Sequence, residues 1–159
     1  MASVLLGSLI AIFLLLVISA FFSASETALT TASKARLHHL ERSGNKRAGI
    51  VAALNERRER LLGTVLIGNN VVNILSSALA TSLLIRVFGD AGVAYATALM
   101  TVLVLIFAEI LPKTYALIHA DRVALAVAPI LRVVVAVIGP ISMAVDKIVG
   151  FLLRLFRVR

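Results

Sequence analysis

The chain has no cysteine and no tryptophan, and only three prolines and two tyrosines in 159 residues. Without cysteine, disulfides, thiolate metal ligands and cysteine nucleophiles are excluded. Without tryptophan, any aromatic belt at a membrane surface is thin. Two Tyr and seven Phe leave little for stacking on bases. Acid is also scarce, with eight Asp and Glu against sixteen Lys and Arg, a formal net charge of +8. No enzyme signature is present: no paired His/Glu zinc motif, no Gly-rich phosphate loop, and no His near a serine at membrane depth. An Asp/Asp intramembrane protease is excluded too, because Asp90, Asp121 and Asp146 fall outside the apolar runs. The expectation is a protein that is not an enzyme.

What is abundant is apolar side chain. Hydrophobic residues make up 60% of the chain, against about 45–50% in soluble domains, and the mean hydropathy is +1.03. One membrane domain over residues 1–159 is expected. Eight of the sixteen cations lie between Lys34 and Arg60, and most of the rest lie beyond Lys113. That distribution fits basic loops facing anionic lipid and argues against nucleic acid.

The apolar runs predict an all-α fold with three transmembrane helices, at about 4–31, 61–86 and 92–118. Val4–Phe22 alone is long enough to span. A signal peptide is the other reading, but no Lys or Arg precedes the run, so a retained span is expected. Residues 32–58 are polar and basic, with Ser43-Gly44-Asn45 as a break, and predict two short helices at about 32–43 and 46–58. In the second, Ile50, Val51 and Leu54 form an apolar face suited to packing on a surface. Charge bias predicts the N-terminus and the 86–92 loop outside, and the basic pair and C-terminal region in the cytoplasm.

Residues 121–157 leave two readings. Val123–Val137 is apolar enough for a fourth span, but Pro129 and Arg132 interrupt it, and a crossing would export Lys147, Arg154 and Arg157. Gly139-Pro140 predicts a break, after which one apolar and one basic face alternate. An interfacial, re-entrant or belt-like arrangement is favoured.

Polar clusters interrupt each span: Ser23, Ser25 and Glu26 in the first, Gly68, Asn69, Asn70 and Asn73 in the second, and Glu109, Pro112 and Lys113 in the third. At the helical rise, Asn70 lies about 13 Å into the second span and Glu109 about 25 Å into the third. In a hydrocarbon core of roughly 30 Å both fall in the inner half. A carboxylate there costs about 2.5–3.5 kcal/mol even on insertion scales, so a partner is expected. Asn70, Asn73 and Ser77 recur at i, i+3 and i+7 on one helix face. Pro112 has no amide hydrogen and predicts an interruption that frees the carbonyl of Ala108. Hydroxyls, amides, one carboxylate and a carbonyl form an all-oxygen inventory suited to hard cations. Two plainer readings stand beside it. Glu109 and Lys113 could form only an i, i+4 ion pair, and the asparagines could only join helices.

Three segments, Phe22-Ser-Ala-Ser-Glu-Thr-Ala28, Leu66-Ile-Gly-Asn-Asn-Val-Val-Asn73 and Ala108-Glu-Ile-Leu-Pro-Lys113, resemble the signature segments of the CorC/cyclin-M transmembrane domain. The third departs from the family pattern in having Ala108 where Gly is usual. The resemblance implies a magnesium transporter of the plasma or inner membrane, working by alternating access as a homodimer in the lipid bilayer. It implies three spans, an interfacial belt helix, and Mg²⁺ export coupled to inward Na⁺. A site for dehydrated Mg²⁺ would fall on Ser23, Ser25, Asn70, Asn73 and Glu109, with a carbonyl near Gly68. Asn69, Pro112 and Lys113 would shape it, and Glu26 is a candidate for the sodium step. Full-length relatives carry nucleotide-sensing CBS domains after the belt helix, and these 159 residues hold none. The rival expectation is a Mg²⁺-binding membrane scaffold or sensor that regulates another transporter.

Overall fold

A computed structural model describes residues 1–158, and among these every regular element is helical. Helix α1 covers Ala2–Thr31, α2 Lys34–Arg42, α3 Lys46–Glu56 and α4 Arg58–Phe88. A 3₁₀ turn at Gly89–Ala91 leads into α5, Gly92–Leu103. A π-helical segment, Val104–Ile110, joins α5 to α6, Leu111–Ile118, and α7 covers Ala120–Leu155.

The packing is inverted relative to a soluble bundle. Leu6, Ile10, Phe13 and Val17 of α1 and Val71 and Ile74 of α4 are exposed, while Ser19, Ser23, Ser25, Thr64 and Ser76 are buried. In hydrocarbon, apolar surface gives no drive for helices to associate, so small residues and polar contacts set the seams. Ala28, Ala80, Ala96, Ala108 and Ala116 are buried at such seams. The apolar outer surface and the lengths of α1 and of the α4 and α5–α6 arms make this an all-α membrane protein.

Contacts fix the relative directions. Ser19 meets Asn69 and Asn73, and Phe22, further along α1, meets Gly68, earlier in α4. α1 and α4 are therefore antiparallel. The 3₁₀ turn folds α5 back along α4, so α1 and the α5–α6 arm run the same way.

The basic segment forms its two helices close to the expected bounds. Ser33 caps α2, its hydroxyl accepting from the amide of Arg36. Asn45 caps α3, its side-chain oxygen accepting from Arg47 and Ala48. The buried face of α3 is Ala48, Val51 and Leu54.

α7 is long and apolar enough to cross a membrane, yet its contacts with the bundle, including the buried Ala124, Ala128 and Leu131, lie at one end of it. Near its start, Asp121 accepts from the Ser33 amide at 2.8 Å and pairs with Arg36 at 2.9 Å. About 27 Å further along at the helical rise, Gly139 lies against the Arg60 guanidinium and Ser142 against Gly63. Arg60 and Gly63 sit at the start of α4, the same end as Ser33. A crossing helix would have reached the opposite end by then. α7 lies across the bundle as a belt.

The expected break at Gly139-Pro140 is corrected: α7 is continuous through Pro129 and Pro140. Proline removes one amide donor and crowds one turn, and a long helix anchored through Asp121, Gly139 and Ser142 absorbs that. Gly139 serves a close approach instead. A Cβ there would sit 2.5 Å from Arg60 Nη2.

Asp121 is the joint between α7 and the basic pair. Because the Arg36 side chain is well exposed, the ion pair contributes modestly, on the order of 1 kcal/mol or less. Asp121→Ala should leave global unfolding nearly unchanged and speed amide hydrogen exchange at Ser33–Leu37. Unchanged exchange there would remove the joint.

Candidate functional site: a polar cluster at membrane depth

Glu109 lies in the π-helical segment, one turn before Pro112. In that segment the amide of Leu111 bonds to the carbonyl of Ile106, five residues back. The widened register is how the chain meets a proline: the expected interruption is a π turn before Pro112, not a broken helix. Such turns re-aim side chains and are frequent at functional sites. Here the turn projects Glu109 while Ala108, fully buried, faces the bundle.

The Glu109 carboxylate has two partners. Lys113 Nζ lies 3.0 Å from Oε2, and Asn69 Nδ2 donates to Oε1 at 3.2 Å. The first is the i, i+4 pair visible in the sequence. The second joins the π segment to α4. Asn69 then extends the network to α1, with Ser19 Oγ 2.7 Å from Asn69 Oδ1 and 2.6 Å from Asn73 Oδ1. A hydroxyl carries one proton, so Ser19 donates to one amide oxygen at a time. The Ser19, Asn69 and Asn73 side chains thus form one polar seam between α1 and α4.

The structure thus brings together Asn69, Asn73, Glu109 and Lys113, and adds Ser19. It does not bring in Asn70, which is exposed about 100° around α4 from Asn69. Asn69 takes the place the sequence assigned to Asn70. Neighbours on a helix diverge by about 100°, and the sequence shows no reason to prefer one of two adjacent asparagines. Ser19 was missed because a lone serine in an apolar run ordinarily bonds its own helix. Its spacing of four from Ser23 was the available signal.

Ser25 is buried, and its hydroxyl donates to the Phe21 carbonyl at 2.6 Å. Ser23 is fully buried, and its Oγ has no hydrogen-bond partner among the described residues, as is also true of Thr64 Oγ1. An unpaired hydroxyl in a buried place is costly, and a site awaiting a ligand is one reason to keep it. Glu26, half-buried, is nearer the C-terminal end of α1 and makes no ion pair among the described residues.

Gly68 has a packing role. A Cβ there would fall 2.7 Å from Cζ of Phe22, so only glycine lets the ring lie on α4. No cluster of three or more His, Cys, Asp or Glu occurs among the described residues. Any metal bound here would rest on one carboxylate with amides and hydroxyls.

Residues 9–159 match the family model for the cyclin M transmembrane N-terminal domain. The chain belongs to that family. Among similar proteins, the UPF0053 inner membrane protein YfjD of Escherichia coli K12 is 42% identical over 142 residues, covering 89% of this chain and 33% of that protein. A UPF0053 protein of Haemophilus influenzae is 48% identical over 124 residues, 77% of this chain and 30% of its own length. The polyamine export protein of Haemophilus influenzae is 30% identical over 167 residues, 97% of this chain and 39% of its own length. The chain thus spans about a third of the length of these relatives.

The packing role of Gly68 is testable. Gly68→Ala should lower the melting temperature in detergent, in line with an overpacking cost of about 1–3 kcal/mol. Adding Phe22→Leu should recover most of the loss. A melting temperature that the second change leaves low would assign Gly68 another role.

Proposed function

We propose that this domain carries a cation through the membrane, with Mg²⁺ as the substrate and Glu109 as the charge that receives it. The observation that carries the reading is the Glu109 carboxylate at membrane depth, held by the amide of Asn69 beside the oxygens of Ser19 and Asn73. Membership of the cyclin M family and the polar cluster support the same reading.

The geometry suggests how binding and release would be balanced. Without substrate, Lys113 neutralises Glu109, which keeps the acid tolerable in a low-dielectric surrounding. An arriving cation takes the place of the lysine ammonium, which swings away on its flexible stem. The amide and hydroxyl oxygens supply neutral ligands. Ser23 would add an oxygen as the helices shift, and Asn70 could join only by rotation of α4. A site with one carboxylate binds weakly enough to let go. Inward Na⁺ is proposed as the driving ion, with Glu26 a candidate ligand. The basic α2–α3 end is assigned to the cytoplasm on its charge, and a homodimer is proposed as the working unit.

A second reading has its own observation. An ammonium group already sits 3.0 Å from Glu109, and a relative is named as a polyamine export protein. An organic polycation would meet the same carboxylate through an ammonium in the position of Lys113 Nζ. The third reading, a Mg²⁺-binding scaffold or sensor, requires binding without flux.

Flux in proteoliposomes separates these. Mg²⁺ export that depends on an opposing Na⁺ gradient and is lost in Glu109→Gln is the expected result. Spermidine flux in place of Mg²⁺ flux selects the second reading. Mg²⁺-dependent thermal stabilisation without flux of either cation selects the third. If Glu109→Gln changes neither binding nor flux, the site assignment is wrong.

Lys113 provides a further test. As an internal competitor for Glu109, its removal in Lys113→Met should tighten Mg²⁺ binding. A pair worth about 1 kcal/mol corresponds to about fivefold. Weakened binding in this variant would instead make Lys113 a positioning group.

A further inference from the structure

Between α4 and α5 runs a groove of about 310 Å³ lined by Asn73, Ser77, Thr81, Thr97 and Thr101, with Ala96, Met100 and Val104. Asn73 at its base is also a member of the polar cluster, 2.6 Å from the Ser19 hydroxyl. Asn73, Ser77 and Thr81 then climb α4 at four-residue intervals, about 12 Å in all. That covers about half of the roughly 22 Å from Asn73 to the end of α4 at Phe88. Both threonines of α5 face them across the groove. Away from it, Leu99, Val102 and Leu105 on the α5 arm and Val71, Ile74 and Leu75 on α4 are exposed and apolar.

The hydroxyls are oriented by their own helices. Thr81 Oγ1 donates to the Ser77 carbonyl at 2.7 Å, Thr97 Oγ1 to Val93 at 2.8 Å, and Thr101 Oγ1 to Thr97 at 2.6 Å. Each proton is engaged on backbone, so the lone pairs of each oxygen remain as acceptors. Three of the four groove hydroxyls thus present lone pairs, which suits water and cations. Back-bonding alone accounts for one threonine in a membrane helix. It does not account for four hydroxyl side chains from two helices sharing one groove that ends on the polar cluster.

We propose that this groove is the hydrated leg of the cation path, linking the Ser19–Asn69–Glu109 cluster to the membrane face that bears the Gly89–Ala91 turn. The proposal rests on the cation-carrier reading above. It assigns Ser77, Thr81, Thr97 and Thr101 as passing contacts. The cation moves past weak neutral oxygens with most of its water retained. Glu109 binds, and the groove conducts.

The absence of cysteine makes the test direct. Single changes Ser77→Cys, Thr81→Cys, Thr97→Cys and Thr101→Cys, with Leu99→Cys, Val102→Cys and Ile74→Cys as comparators, are reconstituted in liposomes. A charged, membrane-impermeant methanethiosulfonate is added to one side at a time. A thiol in apolar surroundings stays protonated and inert, so groove positions should react about tenfold or more faster than comparators, from the Gly89–Ala91 side. Equal rates, or reaction only from the opposite side, overturn the proposal. In parallel, the near-isosteric Thr97→Val/Thr101→Val pair should lower Mg²⁺ flux about fivefold or more while Mg²⁺-dependent thermal stabilisation persists, because removing polar oxygens from a passage leaves the binding carboxylate intact. Flux unchanged in that pair but lost in Glu109→Gln overturns the groove's role and leaves the carrier reading standing. Flux indifferent to Glu109→Gln overturns the carrier reading, and the proposal with it.

Discussion

Asn69 is the contact on which the centre of this domain depends. Its amide nitrogen reaches Glu109 in the π-helical segment and its oxygen meets Ser19 of α1. One side chain on α4 therefore ties together the three arms that cross the membrane. Interhelical hydrogen bonds of this kind are worth about 0.6–2 kcal/mol each. Their value here is also geometric. They set the rotation of each helix about its axis, and so decide which oxygens face one another.

The rest of the packing makes that contact attainable. A polar side chain as short as asparagine bridges helices only when the backbones come close. Gly68, one residue before Asn69, lets the ring of Phe22 lie directly on α4. Alanines at 28, 80, 96, 108 and 116 keep the neighbouring seams narrow. Bulk is placed outward, where lipid rather than protein receives it. The belt helix closes the other end through Asp121 with Ser33 and Arg36, and through Gly139 with Arg60. It holds the end of α1 and the start of α4, burying Ala124, Ala128 and Leu131 in the same apolar cluster as Phe22, Leu61 and Val65.

The π-helical segment is where the backbone departs from regularity. It comes just before Pro112, whose missing amide would otherwise leave a gap in an α-helical ladder. Absorbing the proline by a wider turn costs some hydrogen-bond quality but keeps the backbone paired, which a membrane demands. It also sets the direction in which Glu109 leaves the helix, towards Asn69 on α4.

Much of this was legible in the residues. Run length and charge bias identify three membrane arms and a basic helix pair, because hydropathy along a chain is a local property and a bilayer reads it directly. The three motifs identify the family, and Glu109 stands out because an acid in an apolar run is costly wherever it points. What the sequence could not decide was facing. Asn69 and Asn70 are adjacent and chemically identical, and only the rotation of α4 against α1 and the π segment places one inside and leaves the other exposed. Ser19 looked like an ordinary backbone-bonded serine until α4 was laid beside it. Gly139-Pro140 read as a break because proline's local penalty is visible in sequence, whereas the contacts of α7 with Ser33, Arg36 and Arg60 that anchor it come from residues far away in the chain. Composition and periodicity determined which segments are membrane helices. Tertiary packing decided which atoms meet, because that depends on how each helix is turned, and no residue encodes its own rotation.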